Sequence, residues 1–175
     1  MIIWITGMSG AGKTTIAKAL LKILKPDLPQ TILVDGDEVR TLFGNDLGYE
    51  ESQRKKQIYR LQRIAKWLDA SDMLVIVAAL YSHPDLLNWN RQNFSKYFEV
   101  YVQASIGFLQ ERDSKGLYEG AKLGKINNVV GIDIPWHEPA KSDMKVDATL
   151  IENPTTIASR IEKSLRSNAY IRGLG

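Results

Sequence analysis

Nine consecutive residues near the start of the chain, Gly7-Met8-Ser9-Gly10-Ala11-Gly12-Lys13-Thr14-Thr15, carry the spacing Gly, four residues, Gly, Lys, then Ser or Thr. That spacing is a P-loop. Glycines let the backbone curl closely around an anion, the loop N–H groups and the N-terminus of the following helix aim at phosphate, and Lys13 adds a mobile positive charge. The expected contacts to a nucleoside triphosphate are Gly7, Ser9, Gly10, Ala11, Gly12, Lys13, Thr14 and Thr15, with the Thr14 hydroxyl on Mg2+.

A second constellation, Asp35-Gly36-Asp37, sets two carboxylates around a glycine just past a short apolar run. The carboxyl end of a strand is the usual ligand crevice of a parallel α/β sheet. Two roles are open to these aspartates: chemistry on a substrate, or capping of the helix that begins near Glu38. The two can coexist. Arg54, Lys55, Lys56, Arg60, Arg63 and Lys66 make a basic helix face, most of it solvated surface. Residues Asp113 to Pro139 hold four glycines, two prolines and several lysines, which suggests a mobile cationic lid; a static surface excursion is the other reading.

The elements that must position these groups follow from periodicity. Met1 to Thr6 is an apolar strand entering the P-loop, and Thr14 to Leu24 has helical spacing. Lys25 to Gln30 turns the chain into a strand over Thr31–Val34. Gly44 to Gly48 breaks a short helix before a long one over Glu50–Ala70. Met73 to Leu80 is nearly all apolar, as a strand covered on both faces should be, and is expected at the centre of the sheet. A loop at Tyr81 leads to a helix from Leu86 to Lys96, a strand over Phe98–Gln103 and a helix from Ile106 to Arg112. Ala148 to Glu152 is expected as an edge strand, with Thr155 to Leu165 closing the fold. Alternating strands and helices imply a P-loop α/β sandwich, a mostly parallel sheet of about five strands with helices on both faces.

The 175 residues suit a single domain. Hydrophobic residues are 44% and charged residues 25%, and no run approaches the ~20 apolar residues of a membrane span, so a cytoplasmic protein is expected. A net charge of +3 suits a small phosphorylated ligand without demanding nucleic acid. With no cysteine and only His83 and His137, a zinc site is not expected. The two histidines read as isolated loop residues. Trp4, Trp67 and Trp89 read as packing residues, Trp136 lies in the lid, and Tyr170 to Gly175 read as a frayed end.

A P-loop alone does not separate kinase, GTPase and switch. No Asn-Lys-x-Asp guanine-reading motif occurs, and the paired aspartates argue against a domain that only binds nucleotide. The P-loop, then Asp35-Gly36-Asp37-Glu38-Val39-Arg40, Asn45-Asp46-Leu47-Gly48-Tyr49 and Arg54, closely resembles the adenylylsulfate kinases. So does Arg112-Asp113-Ser114-Lys115-Gly116-Leu117-Tyr118, followed by Gly131-Ile132-Asp133 and Glu138-Pro139. The resemblance spans roughly residues 1–140. It implies an enzyme that uses ATP and Mg2+ to phosphorylate the ribose 3'-hydroxyl of adenosine 5'-phosphosulfate, a small nucleotide, with a homodimer as an admissible assembly. It places Asp35 beside the acceptor hydroxyl and Asp37 near metal and substrate. Arg40 and Arg54 fall where the acceptor's anionic group is held, Tyr49 where its base stacks, and Arg112 and Lys115 where the lid closes over ATP.

Three departures fall on the acceptor side. Gln57 stands where the family usually has Asn, and it becomes the nearest candidate to read the base edge. Leu80-Tyr81-Ser82-His83-Pro84-Asp85 stands where an Ile-Ser-Pro run with a following Arg is usual, leaving Tyr81 or Ser82 to replace the serine and Leu80 to line the pocket. Val129-Val130-Gly131 replaces Phe-Thr-Gly, whose aromatic would cover the second face of the base. A relative of the family, cytidine diphosphoramidate kinase, performs the same ribose phosphorylation on a pyrimidine ligand, so a changed acceptor is the alternative.

Overall fold

In the computed structural model, which describes residues 1–113 and 116–171, five parallel strands lie in the order β2-β3-β1-β4-β5. They are β1 (Ile2–Thr6), β2 (Thr31–Asp35), β3 (Leu74–Ala79), β4 (Tyr97–Gln103) and β5 (Met144–Asp147). The connecting helices are α1 (Lys13–Leu24), α2 (Gly36–Leu42), α3 (Glu51–Ala70), α4 (Pro84–Asn93), α5 (Ile106–Arg112), α6 (Leu117–Lys122) and α7 (Pro154–Ser167).

Period-2 alternation sends successive strand residues to two separate cores. Ile3, Ile5, Ile76, Val100 and Val102 face α1 and α7, where Ile16, Leu20, Leu24, Ile161 and Leu165 meet them. Ile2, Trp4, Val75 and Val77 face α3 and α4 through Ile58, Leu61, Ala65 and Leu86. The central strand is β1, not the expected Met73–Leu80 segment, which sits one place outward between β1 and β2. Every residue of both strands is buried. Their apolarity therefore could not rank them, and the crossover order decided.

Two element boundaries also move. The edge strand is Met144–Asp147, and the expected Ala148–Glu152 strand is instead a 3-10 turn over Ala148–Leu150 followed by Ile151 at φ 45°. Asp147 stops the strand by accepting the N–H (2.9 Å) and hydroxyl (2.6 Å) of Thr149. Helix α4 starts two residues before the expected Leu86, because Pro84 has a helix-ready φ and the His83 ring accepts the Asp85 N–H. It stops at Asn93, where Phe94 turns extended. The end at Tyr170 is not frayed: its ring packs edge-on against Phe98 at 5.4 Å and Ile171 is buried. Residues 172–175 lie outside the described part.

The glycine-punctuated segment expected as a lid contains α6 and is pinned at several points, with Tyr118, Val129, Val130 and Ile134 all buried. Trp136 packs at a tilt against Tyr101, ring centroids 6.0 Å apart, and donates to its hydroxyl, a packing role. Trp67, by contrast, is 70% exposed on the outer face of α3, so it does not serve packing as expected. Among the described residues no helix is long and apolar enough to cross a membrane.

Candidate active site

The P-loop joins the central strand to α1 under two backbone constraints. A Cβ on Gly7 would lie 2.4 Å from the carbonyl oxygen of Val102, so only glycine lets β1 leave the sheet here. Gly12 takes φ 97° as the residue capping α1, a left-handed conformation that a side chain would strain. The α1 N-terminus thereby opens onto a cavity of about 610 Å³ lined at this end by Ser9, Gly10, Gly12, Lys13, Thr14 and Thr15. Lys13 Nζ folds back to donate to the Met8 carbonyl at 2.8 Å, across the loop that would hold phosphate. Ala11 and Thr15 face a second cavity described below.

At the carboxyl end of β2, Asp35 is buried and Asp37 exposed on the rim of the same cavity. The Thr14 hydroxyl donates to Asp35 Oδ2 at 2.6 Å. The other Asp35 oxygen accepts the N–H of Asp37 at 2.9 Å and of Glu38 at 3.4 Å, capping α2. The capping role expected of Asp35 thus takes one oxygen, and Thr14 holds the other beside the P-loop.

The far end of the cavity is cationic. Arg40, buried on α2, donates to the Leu47 and Gly48 carbonyls at 3.0 and 3.3 Å. Arg54, buried on α3, donates through Nη2 to the Asn128 carbonyl at 2.6 Å, and its Nε–H is buried without a partner. Both guanidiniums lie under the exposed ring of Tyr49, at 4.9 and 5.5 Å from its centroid, within cation–π reach. Burial, and after it the like charge of Arg40, pull the Arg54 pKa down. Two buried cations side by side are costly without an anion between them. The rest of the basic face is solvated as expected: Lys56, Arg63 and Lys66 are exposed, and Arg60 pairs with Asp46 at 2.7 Å.

The three acceptor-side departures each find a place. Gln57 is buried and lines the cavity, but its amide NH2 donates to the Gly36 carbonyl at 2.9 Å and its carbonyl accepts from Arg60. It braces the Asp35-Gly36-Asp37 turn. Leu80 and Tyr81 line the cavity, whereas the Ser82 hydroxyl is spent on the His137 carbonyl. Tyr81 donates to Glu51 at 2.7 Å, and burial together with that carboxylate pushes its pKa up, keeping the phenol a donor. Val129 does not face the cavity at all. It is buried in the α1-side core, and Ile126, Asn127 and Asn128 form the lid's part of the wall.

On the lid side, Arg112 ends α5 and lines the boundary between the main cavity and a second one of about 580 Å³. Lys115 lies outside the described residues. The second cavity runs between α1 and the Ala148–Ile151 turn, with Phe108, Val146, Ile151 and Ile157 giving it an apolar lining. Sequence reading missed it, because its walls come from α5, β5 and α7 and share no local period. Also missed was Tyr118, whose hydroxyl donates to the Ser9 carbonyl at 2.9 Å and ties the lid to the P-loop. Burial and Asp113 push that phenol's pKa up to about 12.

A parallel sheet with a P-loop leaving its central strand and carboxylates at the end of the next strand in sequence define a P-loop kinase. Residues 1–147 match the family model described as adenylylsulphate kinase. An adenylyl-sulfate kinase of Pseudomonas aeruginosa is 38% identical over 169 residues, covering 95% of this chain and 86% of its own. The chain belongs to the adenylylsulphate kinase family. Cytidine diphosphoramidate kinase of Campylobacter jejuni is also similar, 36% identical over 152 residues, which are 87% of this chain and 88% of that one. The structure of the Mycobacterium tuberculosis APS kinase in complex with AMPPNP and APS superposes with a TM-score of 0.85 at 28% identity, covering 94% of this chain and 96% of that chain.

Proposed function

We propose that the protein transfers the γ-phosphoryl group of ATP to the ribose 3'-hydroxyl of adenosine 5'-phosphosulfate. The observation that carries the acceptor assignment is the pair of buried guanidiniums, Arg40 and Arg54, sharing the Tyr49 ring at the end of the cavity away from the P-loop. They suit the phosphosulfate in charge and fork geometry, and Tyr49 offers one face to the base.

On this reading the triphosphate lies on the P-loop with its base in the second cavity. Lys13 leaves the Met8 carbonyl for the phosphates, and Arg112, at the boundary of the two cavities, faces the transferring group. Asp35 takes the proton of the 3'-hydroxyl as that oxygen bonds to the γ-phosphorus, while the bond to the bridging oxygen breaks and ADP departs. Gln57 holds the turn that aims Asp35. The residues fit Mg2+: the Thr14 hydroxyl and the nearby aspartates are hard oxygen donors gathered at the mouth of the P-loop. Thr14 would hold the ion with Asp37 close by, and the ion would neutralise charge on the phosphates.

The second reading is a cytidine diphosphate-type acceptor. The wall given by residues 126–128 supports it, since Ile126, Asn127 and Asn128 line the cavity there and none of the three is aromatic. A base gains roughly 0.5–1.5 kcal/mol from an aromatic partner, so its absence weakens the preference for adenine. Measuring kcat/KM for ADP release with both acceptors at one ATP concentration tests the ranking, because that ratio compares transition states. Adenosine 5'-phosphosulfate is expected to win. A hundredfold preference for the cytidine ligand, about 2.7 kcal/mol, overturns the ranking. Nucleotide binding without acceptor-dependent ADP release would return the chain to a binding module.

A further inference from the structure

The two histidines, far apart in sequence, meet. His83 caps α4 and His137 lies near the end of the 113–139 segment, and their rings stand edge to face with centroids 5.0 Å apart. Glu51, the first residue of α3, completes the group: one carboxylate oxygen and one nitrogen from each imidazole all lie within 4.8 Å of one another, and all three side chains are half-buried. The three come from separate segments that are already fastened together. The Tyr81 hydroxyl holds one Glu51 oxygen at 2.7 Å, the Ser82 hydroxyl holds the His137 backbone, and the Tyr81 ring lies 6.4 Å from both imidazoles.

We propose that Glu51, His83 and His137 bind one borderline divalent transition ion, of which Zn2+ is representative. Two imidazoles and a carboxylate suit Zn2+, Co2+ or Ni2+, whereas Mg2+ takes oxygen donors and keeps its waters. Donors at about 2.0–2.2 Å from a shared tetrahedral ion lie roughly 3.3–3.6 Å apart, so separations of up to 4.8 Å must close by as much as about 1.2–1.5 Å on loading. Partners for the ligands are present. Tyr81 keeps hold of one Glu51 oxygen while the other turns to the ion. Asp85 Oδ2, 3.6 Å from His83 Nδ1, is placed to accept that nitrogen's proton when Nε2 faces the ion, the carboxylate–imidazole arrangement common around bound metals. Loading gives up the weak 3.3 Å bond from the Asp85 N–H to His83, whereas Lys55, 3.1 Å from the Glu51 oxygen that Tyr81 holds, can stay. Water takes the fourth position. The ion would clasp the start of α3, which carries Arg54, to the β3–α4 loop and the end of the lid, stiffening one wall of the main cavity.

The experiment uses the full chain stripped with chelator and contains no nucleotide, so its outcome is independent of the acceptor assignment. Zn2+ titration by calorimetry should give one ion per chain. A hundredfold excess over Kd should raise Tm by roughly 5–10 °C. Co2+ should show the intense visible absorption of a four- or five-coordinate nitrogen and oxygen site. His137→Ala and Glu51→Gln should each lose at least tenfold in affinity along with the Tm gain. Glu51→Gln can still accept from Tyr81, so it reports on the ion even if His137→Ala folds poorly. Failure of the wild-type chain to bind Zn2+, or binding of equal affinity in Glu51→Gln, overturns the proposal.

Discussion

The Thr14 hydroxyl donates to Asp35 Oδ2 at 2.6 Å, while Asp35 Oδ1 caps α2 through the N–H groups of Asp37 and Glu38. One carboxylate thus links the first turn of the P-loop helix to the start of the acceptor-side helix. Its capping oxygen fixes the side chain, and its other oxygen points to the loop where the phosphates would lie. An aspartate pinned this way is pre-organised for proton transfer, since little side-chain freedom remains to be lost.

Replacing Asp35 by Asn separates the two tasks. The amide oxygen can still cap α2, so Tm should change little, whereas the proposed base is removed. Turnover should fall roughly 10²- to 10⁴-fold with the KM for ATP nearly unchanged, measured by steady-state ADP release. Normal turnover would leave Asp35 as a cap only.

Arg54 should act on the acceptor alone. It lines the cavity with Nη2 engaged by the Asn128 carbonyl and its Nε–H buried without a partner. Arg54→Met should raise the acceptor KM roughly 10- to 100-fold, the worth of a charge-assisted hydrogen bond, and leave the KM for ATP unaltered. Lys at this position should recover little, because an ammonium lacks the planar fork. An unchanged acceptor KM in both variants would assign Arg54 to holding the lid at Asn128.

Tyr118→Phe removes a single oxygen from the contact between lid and P-loop. The ring stays buried, but the Ser9 carbonyl loses its donor. Stability should drop by about 0.5–1.5 kcal/mol, seen as a Tm lower by roughly 1–6 °C, and the KM for ATP should rise a few-fold. Because burial and Asp113 hold the phenol protonated to about pH 12, the contact should be insensitive to pH between 6 and 9. An unchanged KM for ATP would mean that this bond does not set the loop geometry.

What could be read before the structure was whatever is local. The P-loop is legible because glycine spacing and the Lys13-Thr14 pair encode it in nine residues, and β1, α1 and α3 are long and regular enough for periodicity to place them. The rest turned on contacts between distant segments. Asp147 captures Thr149 and ends β5 before an apolar run that by itself looks like strand. Asp133 draws in the N–H groups of Asn128 and Val129, so the valine standing in an expected ring position turns to the core. Burial raises the Asp133 pKa, but those two N–H bonds, its own N–H and the Arg54 charge together outweigh it and hold the carboxyl below its usual range. Gln57 looked like a base reader by position alone, and its amide is spent on Gly36 and Arg60. His83 and His137 carried no signal of meeting.

Asp69 should govern part of the acid limb of stability. It is nearly buried at the end of α3, where it accepts the N-terminal ammonium at 2.7 Å and the N–H and hydroxyl of Ser95 at 2.8 and 2.7 Å. Burial pushes its pKa up, but the ammonium and Ser95 together outweigh that and hold it below the ordinary carboxylate value of 3.8. A carboxyl lowered on folding contributes stability that is full above the unfolded value and lost as pH falls through the folded one, because the unfolded chain then binds the extra proton. Asp69→Asn, close in shape, should cost roughly 1–3 kcal/mol at pH 7 and leave a shallower decline of stability below pH 4. Urea unfolding of both proteins from pH 2.5 to 7 measures this directly. The difference between them should shrink as pH falls, and a gap that stays constant down to pH 2.5 would show that shape, not charge, is what Asp69 supplies.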